Sequence, residues 1–169
     1  MKNICYSLAA IVVVFTMPVA AQETVFSPST TETCLQEMSV LTDPQNCIGA
    51  SANICMEQSE GGSSTVGMGN CFNSELQYWD ARLNVAYQQV RSNAEAIDAE
   101  MAEVGSSAPS QAQALLEMQR AWIAYRDATC IYQRTLWGGG TGGGPASVAC
   151  HMFRTAEQAL FLESQLGDQ

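Results

Sequence analysis

The side chains able to do chemistry in this chain are few. Its single histidine, His151, directly follows Cys150. A hydrolase needs a nucleophile, a base beside it and a third group that orients the base. Any Ser-His-Asp or Cys-His arrangement would therefore rest on His151 alone, and a surface or helix-terminal role is the simpler reading. Carboxylates pair along the chain at Asp98 with Glu100 and at Glu100 with Glu103. They belong to an ordinary acidic run on a solvated helix face rather than to an environment that separates an acid from a base. The glycine-rich stretch 138–144 has the composition of a phosphate-cradling loop. No Gly-Lys-Ser/Thr follows it, however, and no strand-like segment precedes it. There is no Cys-x-x-Cys, so a redox pair of that kind is absent, and with one histidine a zinc site of the usual spacing is not expected. The residues nominate no catalytic, cofactor-binding or metal-binding group, and the expectation is a protein that is not an enzyme.

The cysteines are better used as staples. Cys5 falls in a leader with Lys2 near its start, an apolar run over residues 4–15, and Val19-Ala20-Ala21 before Gln22. That is the pattern of a signal peptide cleaved after residue 21. The run is too short to span a bilayer comfortably, and Gln22 stands where a lipidated cysteine would be. Six cysteines then remain, an even number that reads as three disulfides in an oxidising compartment, periplasmic or secreted. Cys130 and Cys150 enclose the glycine stretch, and joining them would stop it from splaying the helices on either side. On the chain-entropy model, closing such a loop contributes about 3 kcal/mol. Cys34, Cys47, Cys55 and Cys71 allow three pairings. Cys34–Cys47 with Cys55–Cys71 is favoured because each bridge joins neighbours across one turn or loop.

After residue 21 the chain has six arginines, no lysine and 17 acidic residues, a side-chain balance of −11. Such a surface repels nucleic acid and anionic lipid, whose binding needs basic contacts, so neither is expected as a partner. It would attract a cationic protein and speed the encounter at low salt, although acidity also serves simple solubility.

The elements that carry these residues are helical throughout. Residues 115–130 run without Gly or Pro, with Leu115, Met118, Trp122, Tyr125 and Thr129 on one helical stripe. Gln119 and Arg126 border it. A longer run from about 70 to 104 carries Phe72, Leu76, Trp79, Leu83, Ala86 or Tyr87, Val90, Ala94, Ile97 and Met101 in alternating steps of three and four. Its length leaves room for a bend near 92–96. Pro109 and Ser110 follow, Ser110 suiting an N-cap, and the short connection favours antiparallel packing. Residues 138–144 end the second helix near 136. Pro145 opens a last one to about 166, with Ala149, Cys150, Phe153, Ala156 and Leu160 as its inward candidates and Leu162 and Leu166 as further ones. Upstream, a short helix capped by Thr31 or Thr33 is expected to reach about Leu41 with Met38 inward. A turn at Asp43-Pro44, a second short helix over 47–58, and a loop over 61–69 follow. No segment alternates like a strand and no repeat appears. The fold expected is an all-α, disulfide-stapled bundle of three main helices plus one or two short N-terminal ones. Its organisation is a signal peptide at 1–21, a flexible leader at 22–31, a disulfide-tied helical segment at 32–69 and a helical domain at 70–166.

Two blocks in this frame resemble a known family. One is Trp79-Asp80-Ala81-Arg82-Leu83-Asn84-Val85-Ala86-Tyr87, on a helix preceded by a cysteine. The other runs over 119–130, from Gln119-Arg120-Ala121-Trp122 through Tyr125-Arg126-Asp127 to Cys130, followed by a glycine loop and a cysteine that leads the last helix. Together they are similar to the lysozyme inhibitor LprI-like domain, formerly a domain of unknown function in bacterial exported proteins. The likeness covers about 55–166. It implies a small helical, disulfide-bonded, exported domain, and in the members that name the family an inhibitor of lysozyme. This chain differs in placing Arg154 before Thr155 rather than an arginine after it, in lacking a lipidation cysteine, and in adding the Cys34–Cys47 region. Two functions follow as expectations. In one, the acidic domain docks on a cationic c-type lysozyme and an exposed loop, 138–144 or 61–69, blocks the cleft. In the other, it is a periplasmic structural or interaction module with an unrelated partner.

Overall fold

A computed structural model describes residues 24–37 and 43–167. The expected signal peptide and the Met38 and Leu41 positions lie outside the described residues. Five α-helices follow one another: α1 (Ser29–Glu37), α2 (Ala50–Gln58), α3 (Thr65–Glu103), α4 (Gln111–Thr135) and α5 (Gly143–Gly167), with a 3₁₀ turn over Pro44–Cys47 between the first two. No strand occurs among the described residues, and the molecule is all-α.

The long helices start and stop where local chemistry requires it. The Ser64 hydroxyl accepts from the Gly67 amide at 3.0 Å and caps α3. The helix then continues for 39 residues, about 58 Å at 1.5 Å per residue, through 92–96 without interruption. Gly105, at φ +68°, reverses the chain. Its amide and that of Ser106 return to the Ala102 and Met101 carbonyls, closing a Schellman end. Ser110 caps α4 by accepting from Gln113 N at 3.1 Å.

Residues 61–69 are not the loop expected from their glycines. α3 begins at Thr65, and Gly62 and Gly67 lie buried where backbones meet. A Cβ on Gly67 would fall 2.2 Å from the Gly61 carbonyl oxygen. The glycines are there to let the α2–α3 corner close. The second short helix likewise starts at Ala50 rather than residue 47, because residues 44–47 form the 3₁₀ turn, with Asp43 Oδ1 accepting from Gln45 N at 2.9 Å. α1 begins at Ser29, so neither Thr31 nor Thr33 is its cap. Residues 24–31, read from sequence as a leader, make defined contacts: Val25 N donates to Ser59 Oγ, Phe26 packs on the core and Thr31 is buried.

α5 packs chiefly along α3, and α4 lies against α5. The core joins Ile48, Ala52 and Cys55 to Trp79, Leu83 and Ala86 of α3 and to Met152, Ala156, Ala159 and Leu162 of α5. The inward face of α5 matches the expected one at Ala156, Leu160 and Leu162, but Phe153 is 44% exposed and Met152 is fully buried in its stead. Thr155, Ala156 and Ala159 are small, which lets α5 lie close to α3, and a phenylalanine on that seam would hold the helices apart. On α4 the expected stripe also drifts. Leu115, Met118 and Trp122 pack on the core, but Tyr125 is 59% exposed. Arg126 takes the inner place and lays its guanidinium over the Trp122 ring at 4.9 Å. Met101, at the far end of the α3 stripe, is exposed.

The structure pairs Cys34 with Cys47, Cys55 with Cys71 and Cys130 with Cys150, at Cα separations of 5.7, 5.6 and 5.4 Å.

Candidate binding surfaces

The α2 amino terminus shows how the N-terminal segment is held. Gly49 sits there at φ +91°, a conformation that side-chain caps such as Ser or Asp rarely adopt. The capping comes from other helices. Glu75, fully buried on α3, accepts from Gly49 N (2.8 Å), Ala52 N (2.6 Å), Trp79 Nε1 (3.0 Å) and the Thr31 hydroxyl (3.2 Å). Thr31 and Ser51 exchange a second pair of bonds, each hydroxyl accepting the other's amide. One carboxyl therefore joins α1, α2 and α3. Sequence reading missed it; the available signal was an acidic residue four positions before Trp79, inside an otherwise apolar stripe.

A second polar link closes the α3–α5 seam. Arg82 makes a two-pronged bond to Glu163, 2.8 Å at each prong, donates to the Tyr78 hydroxyl at 2.7 Å and lies over the Tyr78 and Trp79 rings. Burial lowers the affinity of its guanidinium for the proton, but the bonds to Glu163 and Tyr78 outweigh that and leave it above the ordinary value.

The residues singled out for chemistry are engaged structurally. His151 Nδ1 is 2.8 Å from the Ser147 carbonyl and its Nε2 is 3.7 Å from Asp127 Oδ1. Asp98 accepts from the Ser110 hydroxyl (2.6 Å), Gln111 N (2.7 Å) and Ala112 N (3.0 Å), so it clamps the start of α4. Those bonds, led by the one from Ser110, hold its carboxyl below the usual 3.8. Glu100 and Glu103 are exposed. Among the described residues, no three His, Cys, Asp or Glu side chains gather as metal ligands would.

Among the described residues, three surfaces stand out as open to a partner. A groove of about 540 Å³ runs between the long helices and collects residues of the two sequence blocks: Asp80 and Asn84, bonded to each other at 3.0 Å, Arg126, and His151 from α5. The second surface is acidic. The chain from residue 22 to 81 has eight acidic residues and no basic one. Glu32, Glu37, Asp43, Glu57 and Glu60 are all exposed on α1, the 3₁₀ turn and the α2 end. The third is the α4–α5 tip, where Ile131, Tyr132, Leu136 and Trp137 are each more than half exposed. Of the two loops expected to supply shape, 61–69 is largely consumed by α3, and 138–144 is shortened to a tight turn over 138–142 against Trp137, Gly143 and Gly144 opening α5. Among the described residues no helix is long and apolar enough to cross a membrane.

No solved structure matches the chain. It is 24% identical over 135 residues to an uncharacterised 17.7 kDa protein in the puhA 5' region of Rhodobacter capsulatus, covering 79% of this chain and 83% of that one. It is also 35% identical over 60 residues to an uncharacterised protein of Rhizobium meliloti (strain 1021), covering 36% of this chain and 43% of the other. A family model described as "Lysozyme inhibitor LprI" matches residues 55–162. That interval holds both sequence blocks, two of the three disulfides, the Arg82–Glu163 seam up to its last residue, and the whole α4–α5 tip, and the chain belongs to the LprI lysozyme inhibitor family.

Proposed function

We propose that this protein is an exported, non-enzymatic binding protein that inhibits a lysozyme-type muramidase by docking on it. The family match over 55–162 carries the reading. Three disulfides in a chain of this size suit an oxidising compartment, periplasmic or secreted, with a signal peptide at 1–21 removed on export. The surplus of acidic residues, five of them exposed on α1, the 3₁₀ turn and the α2 end, would draw in a cationic c-type lysozyme by long-range attraction. Such attraction raises the association rate and is screened by salt. The assay is lysis of bacterial cell walls by c-type lysozyme with the exported, oxidised protein added at low ionic strength. Lysis should fall at micromolar inhibitor, and less so as salt is raised. Undiminished lysis at micromolar excess would refute the reading and leave an interaction module with an unrelated partner.

A further inference from the structure

α4 runs on beyond the bundle that supports it. Every residue from 131 to 141 is exposed, including the last helical turn. Ile131, Tyr132, Leu136 and Trp137 are 64, 61, 61 and 55% exposed, an apolar concentration of the kind that marks interaction sites. The overhang is nevertheless held firmly. Cys130–Cys150 clamps its base. The Trp137 ring lies on the bare backbone of Gly142, where a Cβ would fall 2.3 Å from the ring. A projection fixed in this way loses little freedom when it docks.

Its charge is opposite to that of the body. Between residues 128 and 150 the one charged side chain is Arg134. Arg82, Arg91, Arg126 and Arg154 each hold a carboxylate, whereas Arg134, like Arg120 farther back on α4, has no ion pair or side-chain hydrogen bond among the described residues. It is also the one ionisable group lining a 450 Å³ groove where the starts of α3 and α5 meet the end of α4.

Resting on the proposed function, we infer that this tip is the part that enters the muramidase cleft, with Arg134 set against the catalytic carboxylates and Trp137 and Leu136 in the sugar-binding subsites. Charge complementarity selects that occupant. Glycosidases cleave between two carboxyl groups roughly 5–9.5 Å apart, at the floor of a concave site with apolar walls. A lone guanidinium flanked by exposed aromatic and aliphatic side chains is the complement of such a floor. The acidic body would bring a cationic enzyme near, and the inverted charge at the tip suits the carboxyl pair in its cleft.

The test measures inhibition of c-type lysozyme by the oxidised protein and by Arg134→Ala, Arg134→Glu and Trp137→Ala, with Arg120→Ala, an exposed arginine elsewhere on α4, as control. Circular dichroism confirms that each variant is folded. The inhibition constant should rise roughly tenfold or more for the tip variants and less than about twofold for Arg120→Ala, and inhibition should be competitive with cell-wall substrate. If the unaltered protein inhibits and Arg134→Glu inhibits equally well, the tip is not the wedge and the inference falls while inhibition stands. If the unaltered protein does not inhibit, the proposed function itself falls.

Discussion

Glu75 and Thr155 are both fully buried polar residues at helix seams, and they should respond oppositely to substitution. Both Glu75 oxygens accept from donors fixed on three helices. In Glu75→Gln one oxygen becomes an NH₂ group, which confronts at least one buried N–H with another donor. We expect a loss of roughly 2–3 kcal/mol, read from urea midpoints with the disulfides intact, and faster proteolysis near α1 and α2. Thr155 Oγ1 is buried with no hydrogen-bond partner among the described residues. Thr155→Val keeps the shape and removes the unsatisfied group, so stability should rise by about 1 kcal/mol on the same measurement. A destabilised Thr155→Val protein would mean that the hydroxyl has a partner after all. Neither role could be read from sequence. A glutamate beside an apolar stripe reads as a solvated flank until the turn at Gly49 is seen to need a remote cap. Tyr125 was misplaced for a related reason: an aromatic ranks as more apolar than arginine, yet Arg126 can lie flat on Trp122 while the tyrosine reaches water.

Helix extents were more legible than helix faces. Ser110, Gly105 and Pro145 mark ends by local chemistry, and the structure uses all three. Faces depend on neighbours, and steps of three and four advance at 3.5 residues per turn while an α-helix needs 3.6. The choice of Phe153 over Met152 on α5 reflects that drift, decided by how closely α3 approaches. Glycine misled in the same way over 61–69, where it serves close contact rather than flexibility. Two substitutions in α3 separate these uses. Gly67→Ala drives a Cβ into the Gly61 and Gly62 backbone and should destabilise by about 3 kcal/mol. Gly69→Ala, one turn's half further along the same helix with nothing within 4 Å, should stabilise by about 0.5–1 kcal/mol. Equal effects in thermal melts would overturn the packing account. Asp98 gives a pH signature for the α3–α4 corner. Its folded carboxyl is held below 3.8, so its contribution is complete above the unfolded value and disappears as pH falls through the folded one. The stability gap between the protein and Asp98→Asn should be constant above about pH 5 and close as acid protonates the folded carboxyl. A gap that persists at the lowest pH would mean that Asp98 acts through something other than its charge.

Across the whole molecule, the sequence indicated an acidic, all-α, disulfide-stapled bundle because composition, cysteine parity and helical period are properties of the chain alone. It did not indicate where the charge would lie, because that depends on how α1 and α2 are folded back onto α3. The structure gathers five exposed acidic side chains on that N-terminal region and puts the unpaired Arg134 on the α4–α5 tip. If the body steers and the tip binds, the two should be separable kinetically. Replacing Glu32, Glu37, Glu57 and Glu60 by glutamine removes four solvated charges without touching Glu75 or any disulfide. The association rate with c-type lysozyme should then fall about tenfold at low salt and converge with that of the unaltered protein near 0.5 M salt, roughly where the Debye length drops below 5 Å. The dissociation rate should stay within about twofold, because rim charges act mainly on encounter. Surface plasmon resonance across a salt series measures both rates. A dissociation rate that rises as much as the association rate falls would place the acidic region inside the contact rather than around it.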